Sequence, residues 1–309
     1  MRNRATRRDR MPTDSPLFLL AFDHRSGLVR GMLPGQEERA AELPGAKQLI
    51  FDGAVAGLAR SAGSDRTRGT AGVLVDEQYG AQVARDAKAA GLTTAVAIEA
   101  SGRDEFELEY GDAAAAHVQA LAPNYAKVLV RYNPGGDAAA NARQRETLAR
   151  VSALVKPLAS GFLFELLVPP TTAQLDAVGG DRDRYDVELR PELTIAAIDD
   201  FQRGGVEADL WKLEGFETVE QSAAVAAQAV APCIVLGRNA PRERVEHWLS
   251  VAAATPGWAG FAIGRSIWWE AVSGFLHDGF PREQAVARIA AEYAWAIDVY
   301  LAAEPAAAA

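Results

Sequence analysis

The chain has 309 residues, 49% of them hydrophobic, enough to bury the core of one barrel-sized domain or of two smaller ones. A formal charge of −9 without a basic stripe in the body argues against nucleic acid as a partner, yet leaves room for a small anion held by local Arg. The single cysteine, Cys233, rules out an internal disulfide framework and any cysteine-rich metal site, which fits a reducing, cytoplasmic location.

The first ten residues are basic, and the apolar run that follows at 17–22 is too short for a signal or membrane segment. Residues 1–14 and 302–309 read as flexible tails flanking one domain over 15–301. Within that domain, strand-like runs occupy 17–23, 72–76, 93–99, 126–131, 162–167, 209–214, 233–237 and 260–264. Segments with helical periodicity lie at 46–61, 81–90, 112–121, 138–155, 191–202, 219–230, 242–254 and 281–301, the last opening with Pro281. Residues 178–184 read as an exposed loop. Eight strands, each followed by a helix, predict an α/β fold, a (β/α)₈ TIM barrel. A doubly wound open sheet is the alternative, but no Gly-rich dinucleotide fingerprint follows the first strand. Trp268, Trp269, Phe275 and Phe280 follow strand eight and suit either helix packing or the interface of a homo-oligomer, the expected assembly.

Charge collects at the C-terminal strand ends, the face on which barrel enzymes build their sites: Asp23 with His24, Asp76 with Glu77, Glu99, Arg131, Glu165, Lys212 with Glu214, Arg238 and Arg265. Lysine is scarce, 5 residues against 27 Arg, yet Lys127 and Lys212 interrupt apolar strands. What Arg cannot supply is a nucleophilic amine, because guanidinium stays protonated whereas an ε-amino group can lose its proton and attack a carbonyl. The alternative is structural, a lysine paired with a carboxylate or snorkelling to water. Alternation places Lys127, Leu129 and Arg131 on one face, with Leu163, Glu165 and Leu167 on another and Leu210, Lys212 and Glu214 on a third. With those faces inward, Lys127 lies about 13 Å deeper than Arg131 at about 3.3 Å per residue. Lys127, Glu165 and Lys212 then converge, and one amine near another cation has its pKa lowered.

This set suits imine catalysis on a ketone: Lys212 adds to the carbonyl, Glu165 moves protons, and Asp23 orients Lys212 or a substrate hydroxyl. The loops after strands seven and eight, with Gly237 and Arg238 and with Gly264, Arg265 and Ser266, suit a phosphate. Asp76, Glu77 and Glu99 instead suggest a divalent ion and a metal-dependent aldolase. Zinc chemistry wants several His ligands, and only His24 stands at a strand end, with His117, His247 and His277 in or beside predicted helices.

The segments Ala21-Phe22-Asp23-His24-Arg25, Val75-Asp76-Glu77-Gln78-Tyr79-Gly80, Phe164-Glu165-Leu166-Leu167-Val168-Pro169, Asp209-Leu210-Trp211-Lys212-Leu213-Glu214 and Gly264-Arg265-Ser266-Ile267-Trp268 carry a resemblance. They are similar to the aldolase-like domain fused behind 5-dehydro-2-deoxygluconokinase in bacterial inositol catabolism, itself related to class I tagatose-bisphosphate and sulfofructose-phosphate aldolases. The resemblance spans residues 17–301. It implies a class I aldolase, a carbon-carbon lyase with no cofactor or metal, acting through a Schiff base on Lys212. In the same resemblance Glu165 is the proton shuttle, Lys127 the second amine and Arg265 a phosphate ligand. The implied substrate is 2-deoxy-5-keto-D-gluconate 6-phosphate, cleaved to dihydroxyacetone phosphate and malonate semialdehyde. A sulfofructose-phosphate or tagatose-bisphosphate aldolase is the near alternative. These substrates differ at the end of the aldehyde half, for which Arg25, Arg103, Arg131 and Arg238 are candidates, with Asp76 and Glu77 also expected at the substrate. A non-catalytic barrel that binds a sugar phosphate is the reading from another class.

Overall fold

The computed structural model describes residues 15–63 and 69–305. Eight parallel strands close in chain order: β1 (Leu17–Ala21), β2 (Ala71–Asp76), β3 (Thr93–Ala97), β4 (Tyr125–Arg131), β5 (Gly161–Leu167), β6 (Leu210–Glu214), β7 (Cys233–Leu236) and β8 (Trp258–Ile263). The helices are α1 (Ser26–Met32), α2 (Leu43–Arg60), α3 (Glu77–Ala89), α4 (Ala114–Leu121), α5 (Ala138–Val155), α6 (Thr172–Ala177), α7 (Arg182–Glu188), α8 (Arg190–Arg203), α9 (Val219–Gln228), α10 (Arg242–Ala253), α11 (Arg265–His277) and α12 (Arg282–Ala303). The (β/α)₈ barrel stands, with no dinucleotide-type open sheet. Among the described residues no helix is long and apolar enough to cross a membrane.

Strand alternation divides the core in two. Outward residues such as Phe18, Val73, Val128, Phe164, Trp211 and Phe261 pack under the helices. Inward residues, Leu19, Ala21, Leu74, Ala95, Tyr125, Leu163, Leu210, Ile234 and Ala262, plug the barrel floor. The seam between β8 and β1 needs a glycine: Gly260 has φ +116°, and a Cβ there would lie 1.9 Å from the Leu17 carbonyl oxygen. Above the plug, the inward positions switch from apolar to charged.

Several local readings change. Gly179 and Gly180 form a left-handed turn, but Asp181 then caps α7, so the segment read as a loop is helical from Arg182. In the aromatic segment after β8, Trp268 is fully buried in α11 and its Nε1 donates to the Ala21 carbonyl at 2.9 Å, while Phe280 packs on Gly274. Helix α12 runs through Ala303, into the stretch read as a tail. The tail readings for 1–14 and 306–309 lie outside the described residues.

Candidate active site

Register sets the site. Glu165 on β5 lies opposite Leu129 on β4 and Lys212 on β6, while Lys127 lies opposite Leu163, one inward layer lower. Lys127 is fully buried, and its Nζ is 2.6 Å from Asp23 Oδ2, 2.9 Å from Glu99 Oε1 and 2.9 Å from Glu165 Oε2. The other oxygen of Glu165, Oε1, is 2.8 Å from Lys212 Nζ. One carboxylate therefore bridges two lysines of unequal surroundings: three carboxylates enclose Lys127 and one meets Lys212.

The charge states follow from that inequality. Burial opposes a charge on Lys127, but Asp23, Glu165 and Glu99 outweigh it and hold the ammonium above the usual lysine range. Burial would raise Asp23 and Glu165, yet the lysine charges override it and hold both carboxyls below the usual range. For Glu99 burial wins, and its carboxyl is pushed up. Burial also drives the His24 imidazole down to about 4, so it is neutral at physiological pH.

A cavity of about 180 Å³ opens above this cluster, lined by Asp23, His24, Glu99, Lys127, Glu165 and Lys212 and, towards its mouth, by Arg30, Arg103 and Arg131. Its outer wall is the 99–109 segment, folded back on itself through the Glu99–Leu108 bridge and tied to α1 by the 2.8 Å contact between Ser101 and Ser26 hydroxyls.

Arg265 opens α11, half-buried and without an ion pair among the described residues, within the fields of Asp23 and Glu165. Gly264 before it lets β8 close on β1, since a Cβ would come 2.3 Å from the Ala21 carbonyl oxygen. Ser266 Oγ donates to the Ala240 carbonyl at 3.1 Å, beside Gly237. Arg131 ends β4 exposed at the cavity mouth.

Other expected site residues are engaged elsewhere. Asp76 is fully buried, pairs with Lys47 and caps α3 through Tyr79 N, and Glu77 turns to His117 Nδ1 at 2.9 Å. Neither lines the cavity. With Glu99 on Lys127, the three carboxylates suggested for a divalent ion each serve a different partner. Among the described residues no group of three or more His, Cys, Asp or Glu could hold a metal ion. Arg25 clamps the Glu99 carbonyl at 2.6 Å and Glu109 at 3.1 Å. Arg103 lies 3.3 Å from Glu107.

Arg238, exposed and in a left-handed conformation at φ 50°, covers a second charge cluster at the ends of β6 and β7. Its Nη1 meets Asp186 at 2.5 Å and its Nε meets Glu214 at 3.0 Å. Asp186 also receives Arg190 Nε at 2.9 Å, and Arg190 Nη2 donates to the Gly215 carbonyl at 2.7 Å.

The residue that sequence reasoning passed over is Lys47. The scarcity of lysine marks it as clearly as it marks Lys127, but its setting in a helical rather than a strand-like segment hid it.

The Plasmodium falciparum fructose-bisphosphate aldolase, solved as a ternary complex with TRAP and a small molecule inhibitor, has a similar structure at TM-score 0.63 and 13% identity, covering 93% of this chain and 91% of that one. The Corynebacterium glutamicum protein Cgl0159 is similar at TM-score 0.57 and 18% identity, covering 93% and 87%. At such identities the likeness is one of fold. No curated protein matches the chain. The family model that matches spans residues 2–304, and the chain belongs to that family, DUF2090, described as an uncharacterized protein conserved in bacteria.

Proposed function

We propose that the protein is a class I aldolase that cleaves a ketose phosphate through an imine on Lys212. The observation that carries the reading is Glu165 bridging two lysines, one locked as an ammonium by three carboxylates and the other facing a single carboxylate at the cavity. Moving one proton along the 2.8 Å contact converts the Lys212–Glu165 ion pair into a neutral amine and a carboxylic acid. The amine adds to the ketone carbon, and Glu165 gives its proton to the carbinolamine oxygen as water leaves. The resulting iminium draws in the electron pair of the adjacent carbon-carbon bond while Glu165 takes the proton of the β-hydroxyl, which departs as an aldehyde. Protonation of the enamine and readdition of water free the ketone product and Lys212. Lys127, held charged by its three carboxylates, remains a positive charge beside Glu165 throughout.

Arg265 and the α11 N-terminus are the proposed seat of the phosphate, and the aldolase fold of the Plasmodium protein is consistent with a sugar phosphate ligand. Within the candidates for the aldehyde end, Arg25 and Arg238 are committed to carboxylates, and Arg131 stays open at the cavity mouth. Arg131 is the group proposed to hold the carboxylate of 2-deoxy-5-keto-D-gluconate 6-phosphate, the favoured substrate. Borohydride reduction with dihydroxyacetone phosphate, followed by peptide mapping of wild type and Lys212→Ala, tests the chemistry. An adduct on Lys212 that is lost in the variant is expected. Labelling at Lys127 would exchange the two roles, and no adduct with any ketose phosphate would overturn the aldolase in favour of a non-catalytic binder.

A further inference from the structure

Lys47 is as buried as Lys127, yet it takes no part in the reaction above. It projects from α2, outside the barrel, and its Nζ donates to the Phe22 carbonyl at 2.8 Å and the His24 carbonyl at 3.0 Å while pairing with Asp76. Those two carbonyls flank Asp23. Drawn towards α2, they leave the Asp23 side chain on the opposite side of the backbone, directed into the barrel, where it meets Lys127 at 2.6 Å. The anchor beneath Lys47 is itself fixed, since the second oxygen of Asp76 accepts from Tyr79 N at 2.8 Å as the cap of α3.

Three acceptors converge on one nitrogen with no solvent around it. A compact ammonium with three rotatable donors satisfies that geometry, and a planar guanidinium does not, which accounts for lysine here in a chain that otherwise writes arginine.

We infer that Lys47 is a positioning residue, holding the backbone on both sides of Asp23 so that the Asp23 carboxylate reaches Lys127 and completes the three-carboxylate cage around the second amine. Its kinetic consequence rests on the aldolase reading, whereas its structural consequence does not. A lysine that merely joined helix to barrel would affect stability and leave Asp23 where it is.

The test uses Lys47→Met and, because that change leaves Asp76 buried without its cation, Lys47→Met combined with Asp76→Asn, which keeps the cap. In the crystal structure of whichever variant folds, Asp23 is expected to leave Lys127. With substrate, kcat is expected to fall roughly 10²-fold with KM changed only a few-fold, and Lys47→Arg does not rescue it. In a double-mutant cycle the Lys47 change adds nothing to Asp23→Asn, since both act through one contact. Asp23 still bonded to Lys127 in the variant, or losses that add in full, would overturn the inference. Absence of a Lys212 adduct in the wild type would remove the aldolase reading alone, and the crystallographic contact would still decide the role of Lys47.

Discussion

Two clusters of paired charge share the C-terminal rim of this barrel, and they are built from different cations. Around β6 and β7, Arg190 and Arg238 divide Asp186 and Glu214 between them, with Arg190 also on the Gly215 carbonyl. Such planar guanidinium forks act as struts. Around β4 to β6, Lys127 and Lys212 meet Asp23, Glu99 and Glu165 beside an open cavity. There each cation is a point charge that can in principle yield a proton, and the number of carboxylates around it decides whether it does. Lys47 adds a qualification: a buried lysine in this chain marks convergent acceptors, and only the lysine with a single carboxylate beside a cavity has the surroundings of a nucleophile.

Several changes would break or sharpen this contrast. Lys212→Arg keeps the charge and the pairing with Glu165 but removes the amine, so aldol cleavage should fall by about 10³-fold or more while urea unfolding moves little. Lys127→Met removes the cation that Asp23, Glu99 and Glu165 share and should cost about 3–5 kcal/mol in the same unfolding assay. Arg190→Met leaves Asp186 with Arg238, so the loss should be nearer 2 kcal/mol, with the borohydride adduct on Lys212 intact. An adduct lost in Arg190→Met would show that the two clusters are one functional unit.

The pH dependence separates them further. Because the Lys127 pKa is raised, the stability it contributes is fully present below the unfolded lysine value of about 10.4 and is lost as pH rises through the folded value. The stability gap between wild type and Lys127→Met should therefore hold steady from about pH 8 to 10 and narrow only above that. The smallest effect concerns His24, depressed from 6.5 to about 4, whose neutral burial costs the fold stability as pH falls between those values. His24→Gln should flatten that slope in thermal unfolding scans.

Much of this was legible in the sequence because it depends on alternation. A period of two along β4, β5 and β6 suffices to bring Lys127, Glu165 and Lys212 to one interior, and the scarcity of lysine says which of many charges to follow. Asp76 follows the parity of Leu74, but at the last position of β2 it also caps α3, and capping turned it aside. Glu77 and Arg238 stand at strand ends as expected, but their partners, His117 on α4 and Asp186 on α7, are fixed by tertiary packing that no local pattern encodes. Arg182–Glu188 was hidden by the two glycines before its cap, and α11 by aromatic residues that suit an interface as well as a core.

The seam between β1 and β8 carries a consequence for biosynthesis. Leu17 pairs with Gly260, and the β1 end that bears Asp23 is braced by Trp268 of α11, so both supports leave the ribosome long after β1 does. A nascent chain stopped after β6 already contains Lys127 and Lys212 but lacks the strand and helix that brace β1. Assembly of the charge cluster around Lys127 thus waits on nearly the whole barrel.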